Sequence, residues 1–252
     1  MGLMTKHYFG VAATASLLLS LVAGSVSAQG KNVTLQGIQS ATVAPSGLAF
    51  ASVAGTSFNT QEQRVEDGAD LSGVFGFGTG NAETSIGFQF SANITSIFEN
   101  FGNSGYITFK ASQRLAEHET PTYVGVVIDH LGQWGDYAED YEPTVAFAMT
   151  SFPDVSIGSE MFPLMLTIGA GSHVRDGGTE PGIFLGAGIG LTQNLGASIA
   201  WTGETVTLGS AFKFDGLENV SFSANVDDVF DQLDSRRITL SATWFTQDLF
   251  GG

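Results

Sequence analysis

Between residues 47 and 245 the chain alternates, position by position, between bulky apolar side chains and small or polar ones. The pattern is clearest where Ile86, Phe88, Phe90, Ala92 and Ile94 interleave with Gly87, Gln89, Ser91, Asn93 and Thr95. A period of two places the sets on opposite faces of a strand. Two architectures follow. A soluble, secreted sandwich buries its bulky face against a second sheet, whereas a transmembrane barrel turns that face outward to lipid.

The alternation divides the chain into strands near 47–57, 69–78, 83–96, 104–115, 121–131, 143–152, 161–172, 182–191, 195–202, 205–214, 219–227 and 237–245. That makes about 12 strands, within a range of roughly 10–14. The sense is repeated. Ile107, Phe109 and Ala111 oppose Thr108, Lys110 and Ser112, and Val124, Val126 and Ile128 oppose Tyr123, Gly125 and Asp129. Leu164, Leu166 and Ile168 oppose Met165, Thr167 and Gly169. Ile183, Leu185, Ala187 and Ile189 oppose Phe184, Gly186, Gly188 and Gly190. The last two strands set Phe222, Ala224 and Val226 against Ser223, Asn225 and Asp227, and Ile238, Leu240, Ala242 and Trp244 against Arg237, Thr239, Ser241 and Thr243. Most of these strands approach the roughly 9–11 residues that a tilted strand needs to cross a bilayer.

The connections add a second signal. Those after odd-numbered strands are mostly long and acidic (58–68, 132–142, 173–181 and 228–236), and those after even-numbered strands are mostly short (79–82, 192–194 and 215–218). Outer-membrane barrels show this asymmetry, with long external loops and short periplasmic turns. Two connections depart from it: 202–204 is tight where a long loop is expected, and 153–159 is long for a turn.

The first residues read as an export signal. Lys6 supplies a positive start, residues 11–22 form an apolar run too short to span, and Val26-Ser27-Ala28 offers small residues at a cleavage site. The signal is therefore 1–28, and the barrel domain 46–252. Residues 29–45, between them, read equally as a tail, an extra strand or a plug. No later segment has the roughly twenty continuous apolar residues of a membrane helix. The chain has no cysteine, hence no lipid attachment site and no disulfide framework. Nine Lys and Arg against 25 Asp and Glu give a formal charge of −16, and loss of Lys6 with the signal makes the remainder one unit more negative. Such a chain repels phosphate backbones, which excludes nucleic acid as a partner.

Taken over about residues 46–248, the pattern resembles the bacterial outer-membrane β-barrel (porin-like) class. The resemblance implies an all-β fold, an antiparallel up-and-down transmembrane β-barrel in the cell outer membrane. It also implies outer-membrane lipid, the barrel assembly machinery and small solutes or ions as partners. Passive passage of solutes or ions is the function it implies. The alternative is a non-conducting barrel whose acidic external loops serve adhesion or surface structure. Many barrels of this class end on an aromatic residue, whereas here Trp244, Phe245 and Phe250 are followed by Gly251-Gly252.

If the bulky face meets lipid, the charged residues of the strands belong inside, because a lipid-facing charge costs about 2–4 kcal/mol at the bilayer midplane. The pore-lining candidates are Lys110, Arg114, Asp129, Lys213, Asp227 and Arg237. They either set a field that biases which ions pass or pair across the lumen and fill it. The inward glycines are equally two-sided: they leave space, and they permit the curvature of barrel walls. About twelve strands lies between solidly packed small barrels and open porins of 16–18 strands.

No catalytic residue, cofactor or metal site is expected. Adjacent Ser172 and His173 should point to opposite faces of a strand, and no G-x-S-x-G, H-E-x-x-H or P-loop motif occurs. The acidic clusters Asp136, Glu139, Asp140, Glu142 and Asp227, Asp228, Asp231, Asp234 lack the spacing and turn glycine of a calcium loop, so they read as solvated external loops. Trp134, Tyr137 and Tyr141 beside the first cluster read as girdle aromatics.

Overall fold

A computed structural model describes residues 30–58, 69–95, 97, 104–115, 119–135, 142–233 and 236–247. The signal segment, His118, residues 136–141, Asp234 and the terminal Phe250-Gly251-Gly252 lie outside them. The described residues contain thirteen strands. They are β1 (Ala49–Phe58), β2 (Ala69–Gly80), β3 (Gly87–Ile94), β4 (Ser104–Arg114), β5 (Thr122–Gly135), β6 (Thr144–Ser151), β7 (Asp154–Ile157), β8 (Glu160–Arg175), β9 (Glu180–Gly190), β10 (Leu195–Trp201), β11 (Val206–Phe212), β12 (Val220–Asp227) and β13 (Arg237–Thr246).

Apart from β7, each strand pairs antiparallel with its neighbours in sequence; β1 pairs with β13, and β6 pairs with β8 across the intervening β7. The ladder therefore closes on itself as a barrel of 12 strands. Closure leaves no open edge, and every strand of the ring satisfies its backbone on both sides. The short β7 stands apart, paired only to the start of β8 through Asp154↔Pro163 and Ile157↔Glu160. It extends the β6–β8 connection into a hairpin, which is why 153–159 is longer than a plain turn requires.

The expected alternation sets the inside and the outside. Phe75, Phe147, Ile183, Ile199, Leu240 and Trp244 point outward and stay exposed, Phe147 at 63% and Leu240 at 59%. Ser52, Gln89, Thr108, Ser198, Thr207 and Thr243, one position out of step with such residues, are buried. On the outer face Phe77, Phe90, Phe109 and Phe88 stack from β2 to β4, and Phe212, Phe214 and Phe222 cluster across β11 and β12. Cross-strand aromatic pairs of this kind reinforce register.

Three boundaries differ from the sequence expectation by three residues or more. β3 starts at Gly87, because 82–85 turn back with the Asn81 side chain accepting from the Glu83 N–H at 2.9 Å. β5 continues to Gly135 through two bulges opposite β4, with His130 and Gly132 at positive φ. β8 continues to Arg175 through an irregularity after Gly171. Its connection to β9 therefore shrinks from the expected 173–181 to 176–179, where Asp176, Gly177 and Gly178 take positive φ. A bulge adds residues to one strand without breaking the pair, so strand length outruns strict alternation.

Candidate functional site

The inside of the ring is the one enclosed volume this topology creates. At one rim, here the lower, lie the start of β1, the end of β13 and the β2–β3, β9–β10 and β11–β12 connections. The ends of β1, β5 and β12 lie at the upper rim.

Residues 31–45 run inside this volume and form no strand. They leave the lower rim beside Lys31, whose Nζ lies 3.2 Å from the Glu160 carboxylate and 3.5 Å from the Phe162 ring centroid. The Asn32 N–H donates to the Thr192 carbonyl at 2.8 Å. The segment rises along β9 to β11, where the Gln36 N–H donates to Ser198 Oγ at 3.2 Å. It bends at Gly37, φ 86°, against the Thr207 side chain. It then crosses to the opposite wall, the Ala41 N–H donating to Thr150 Oγ1 at 2.9 Å and the Ala44 N–H to Gln89 Oε1 at 2.8 Å. After Pro45 it joins β1 at the lower rim. The path is a loop inside the barrel, anchored mainly to side chains of the wall.

Two features of the wall receive it. Val33, Leu35, Ile38 and Ala41 pack against inward Tyr123, Ala148, Met165, Phe184 and Ala200. These apolar members of the inner face make a local pocket, and Leu35 is left 1% exposed. Complete burial of a side chain of this size contributes about 1.5–3 kcal/mol. The second feature is absence of side chain. A Cβ at Gly188 would collide with the Thr34 carbonyl, one at Gly78 with that of Ala44 and one at Gly196 with that of Asn32; at Gly125 it would sit 2.9 Å from the Ala41 oxygen. These glycines admit a second backbone against the wall, a use distinct from both open space and curvature.

The six charged candidates all belong to the inner face or its lower rim, in different settings. Arg114 pairs with Glu83 at 2.8 Å, and Glu83 also accepts a short hydrogen bond from the Tyr123 hydroxyl. Arg237 lies 3.6 Å from Asp227, which further accepts from Thr207 Oγ1 at 2.9 Å and Asn225 Nδ2 at 3.1 Å. Asp129 accepts a short hydrogen bond from Thr108, itself engaged by Asn93 at 2.9 Å. Lys213, just past β11, lies 5.9 Å from the Phe245 ring centroid. Lys110, 6% exposed on β4, has no hydrogen bond or ion pair among the described residues, and Asp129 is the carboxylate within its electrostatic reach. Arg114 and Arg237 are thus neutralised locally, and the six do not form one ring.

The inner hydroxyls are themselves linked across the ladders: Thr56 to Thr239 at 3.1 Å, Ser52 to Thr243 at 2.9 Å, Thr150 to Thr167 at 2.8 Å, and Ser223 to Ser241 at 2.5 Å. Buried hydroxyls that pair with each other stay compatible with water when the lumen is wet.

Ser172 and His173 do not point apart. The irregularity after Gly171 turns them together, and Ser172 Oγ lies 2.8 Å from His173 Nδ1. The same Oγ accepts from the Val145 N–H at 3.1 Å, which ties it to the β6 backbone. His130 stacks on Tyr106 at 4.4 Å. In the second acidic cluster, Asp228 is 1% exposed and its carboxylate accepts from the N–H groups of Gln232 at 2.8 Å and Leu233 at 3.0 Å. It caps a turn.

No family model matches the chain, and no curated protein matches it. Among solved structures it is similar to the KdgM porin in complex with disordered oligogalacturonate, at TM-score 0.48 and 9% identity, covering 77% of this chain and 98% of that one. It is also similar to the COG4313 outer membrane channel from Pseudomonas putida F1, at TM-score 0.45 and 11% identity over 82% and 98% of the two chains. A third is the Acinetobacter baumannii outer membrane protein Omp33, at TM-score 0.39 and 12% identity over 79% and 99%.

Proposed function

We propose that this chain is a bacterial outer-membrane β-barrel that gives small solutes or ions passive passage. The observation that carries this reading is a closed ring of 12 strands whose apolar side chains face out and whose hydroxyls, amides and charges face in. A soluble protein would leave that outer surface, which runs round the whole ring, facing water; in a bilayer it meets hydrocarbon. Lipid of the outer membrane, the barrel assembly machinery during insertion, and small solutes or ions are the partners this reading entails. Among the pore-lining candidates, Asp227 and Arg237 stand at the end of β12 and the start of β13, toward the upper rim, and Arg114 and Lys213 at the ends of β4 and β11, toward the lower one.

A second reading has its own support. The loop of residues 31–45 inside the barrel favours a non-conducting wall that presents acidic external loops. Purified protein in planar bilayers separates the two. The channel reading expects discrete conductance steps from chains that fractionate with the outer membrane. Folded protein without such steps supports the structural role.

A further inference from the structure

We infer that residues 31–45 are a displaceable plug that closes the barrel from its lower end, an inference that rests on the channel reading. The ring of strands is complete without this segment, since β1 pairs with β13 and β6 with β8. Its departure therefore breaks no ladder. Bonds that hold it include those to the side-chain oxygens of Ser198, Thr150 and Gln89 and to the Thr192 and Ala211 carbonyls, all of which water in an emptied lumen satisfies equally well.

Its two ends are held unequally. One continues covalently through Pro45 into β1, and acts as the hinge. The other is held at Lys31 by Glu160, whose side chain is 65% exposed, and by the Phe162 ring, and at Asn32 by hydrogen bonds to the Thr192 and Ala211 carbonyls. An ion pair with one partner in solvent is a weak tie. The end at Lys31 and Asn32, joined to the wall by non-covalent contacts, can therefore leave it first while the hinge stays. The wall is shaped for the docked state rather than for an empty bore, because Gly78, Gly188 and Gly196 stand where any side chain would strike the segment's carbonyls. The bend at Gly37 reaches Thr207, so the docked loop crosses the lumen from the β9–β11 wall to the β3–β6 wall. A solute has to pass it.

The test uses the full chain in planar bilayers and exploits the absence of native cysteine. Gln36→Cys with Ser198→Cys, oxidised, ties the loop to the wall. Openings are expected to fall by about tenfold relative to the same protein after reduction, because the tether removes the undocked population. Gly188→Val is expected to raise the open fraction, and Leu35→Cys reports position. The thiol should react slowly with an impermeant maleimide in the native background and quickly when Gly188→Val is added. Openings that ignore the oxidised tether overturn the plug and leave the channel reading standing. Rapid labelling of Leu35→Cys in the otherwise native barrel also overturns it. A folded Gly188→Val chain that labels at Leu35→Cys yet passes no ions overturns the channel reading itself, and the plug with it.

Discussion

At the scale of single residues, the inner face and its rim hold charges that are ion-paired, Arg114 and Arg237, and cations with no ion pair among the described residues, Lys110 and Lys213. Arg237 offsets Asp227 at 3.6 Å, with Thr207 and Asn225 completing the carboxylate's partners. Arg237→Glu replaces that balance by two facing carboxylates. In the channel reading the reversal potential across a salt gradient should shift toward cation preference, and an unchanged potential would put this pair outside the conduction path. Lys110→Glu should have the smaller effect, since Lys110 is 6% exposed. Alternation alone proposes the six charges as candidates, because a charge on a strand has nowhere favourable to go but inward. It does not propose their pairing. Glu83 sits in the β2–β3 turn and meets Arg114 only because β3 and β4 stand side by side in the closed ladder.

At the scale of the elements, each strand carries one lipid-ready and one lumen-ready face, and the faces should respond differently to the same change. Leu240→Arg, on the outer face of β13, should destabilise the barrel by about 2–4 kcal/mol if it lies near the bilayer midplane, read as a lower urea midpoint in lipid vesicles. Asn225→Arg, on the inner face of β12 beside Asp227, should cost much less. Equal losses at the two positions would contradict the assignment of faces. All twelve strands of the ring are legible in the sequence, since period-two alternation survives wherever one side is apolar. Strict alternation fails at bulges. It could not foresee that β5 reaches Gly135 or that β8 brings Ser172 and His173 within 2.8 Å of each other.

For the whole molecule, closure is the governing fact. A ring with no edge strand unfolds as a unit and with a high barrier, so the detergent-solubilised protein should migrate differently on a gel before and after boiling. Identical migration of a correctly folded sample would argue against a closed membrane barrel.

Closure also marks the division between what the chain states and what only its folding decides. The sequence by itself determined the strands, their two faces and the antiparallel order, because each follows from the side chains of neighbouring residues. It left residues 29–45 open between tail, strand and plug, and it read the inward glycines as space or curvature. Only the tertiary structure brought Thr34 against Gly188, Ala44 against Gly78, and Leu35 into the pocket that contains Tyr123, Met165 and Phe184. Those contacts join residues more than thirty positions apart through a volume that does not exist until the ring closes. No local period encodes them. The occupied lumen is a property of the closed barrel, and its apolar pocket is made of inward residues from β5, β6, β8, β9 and β10.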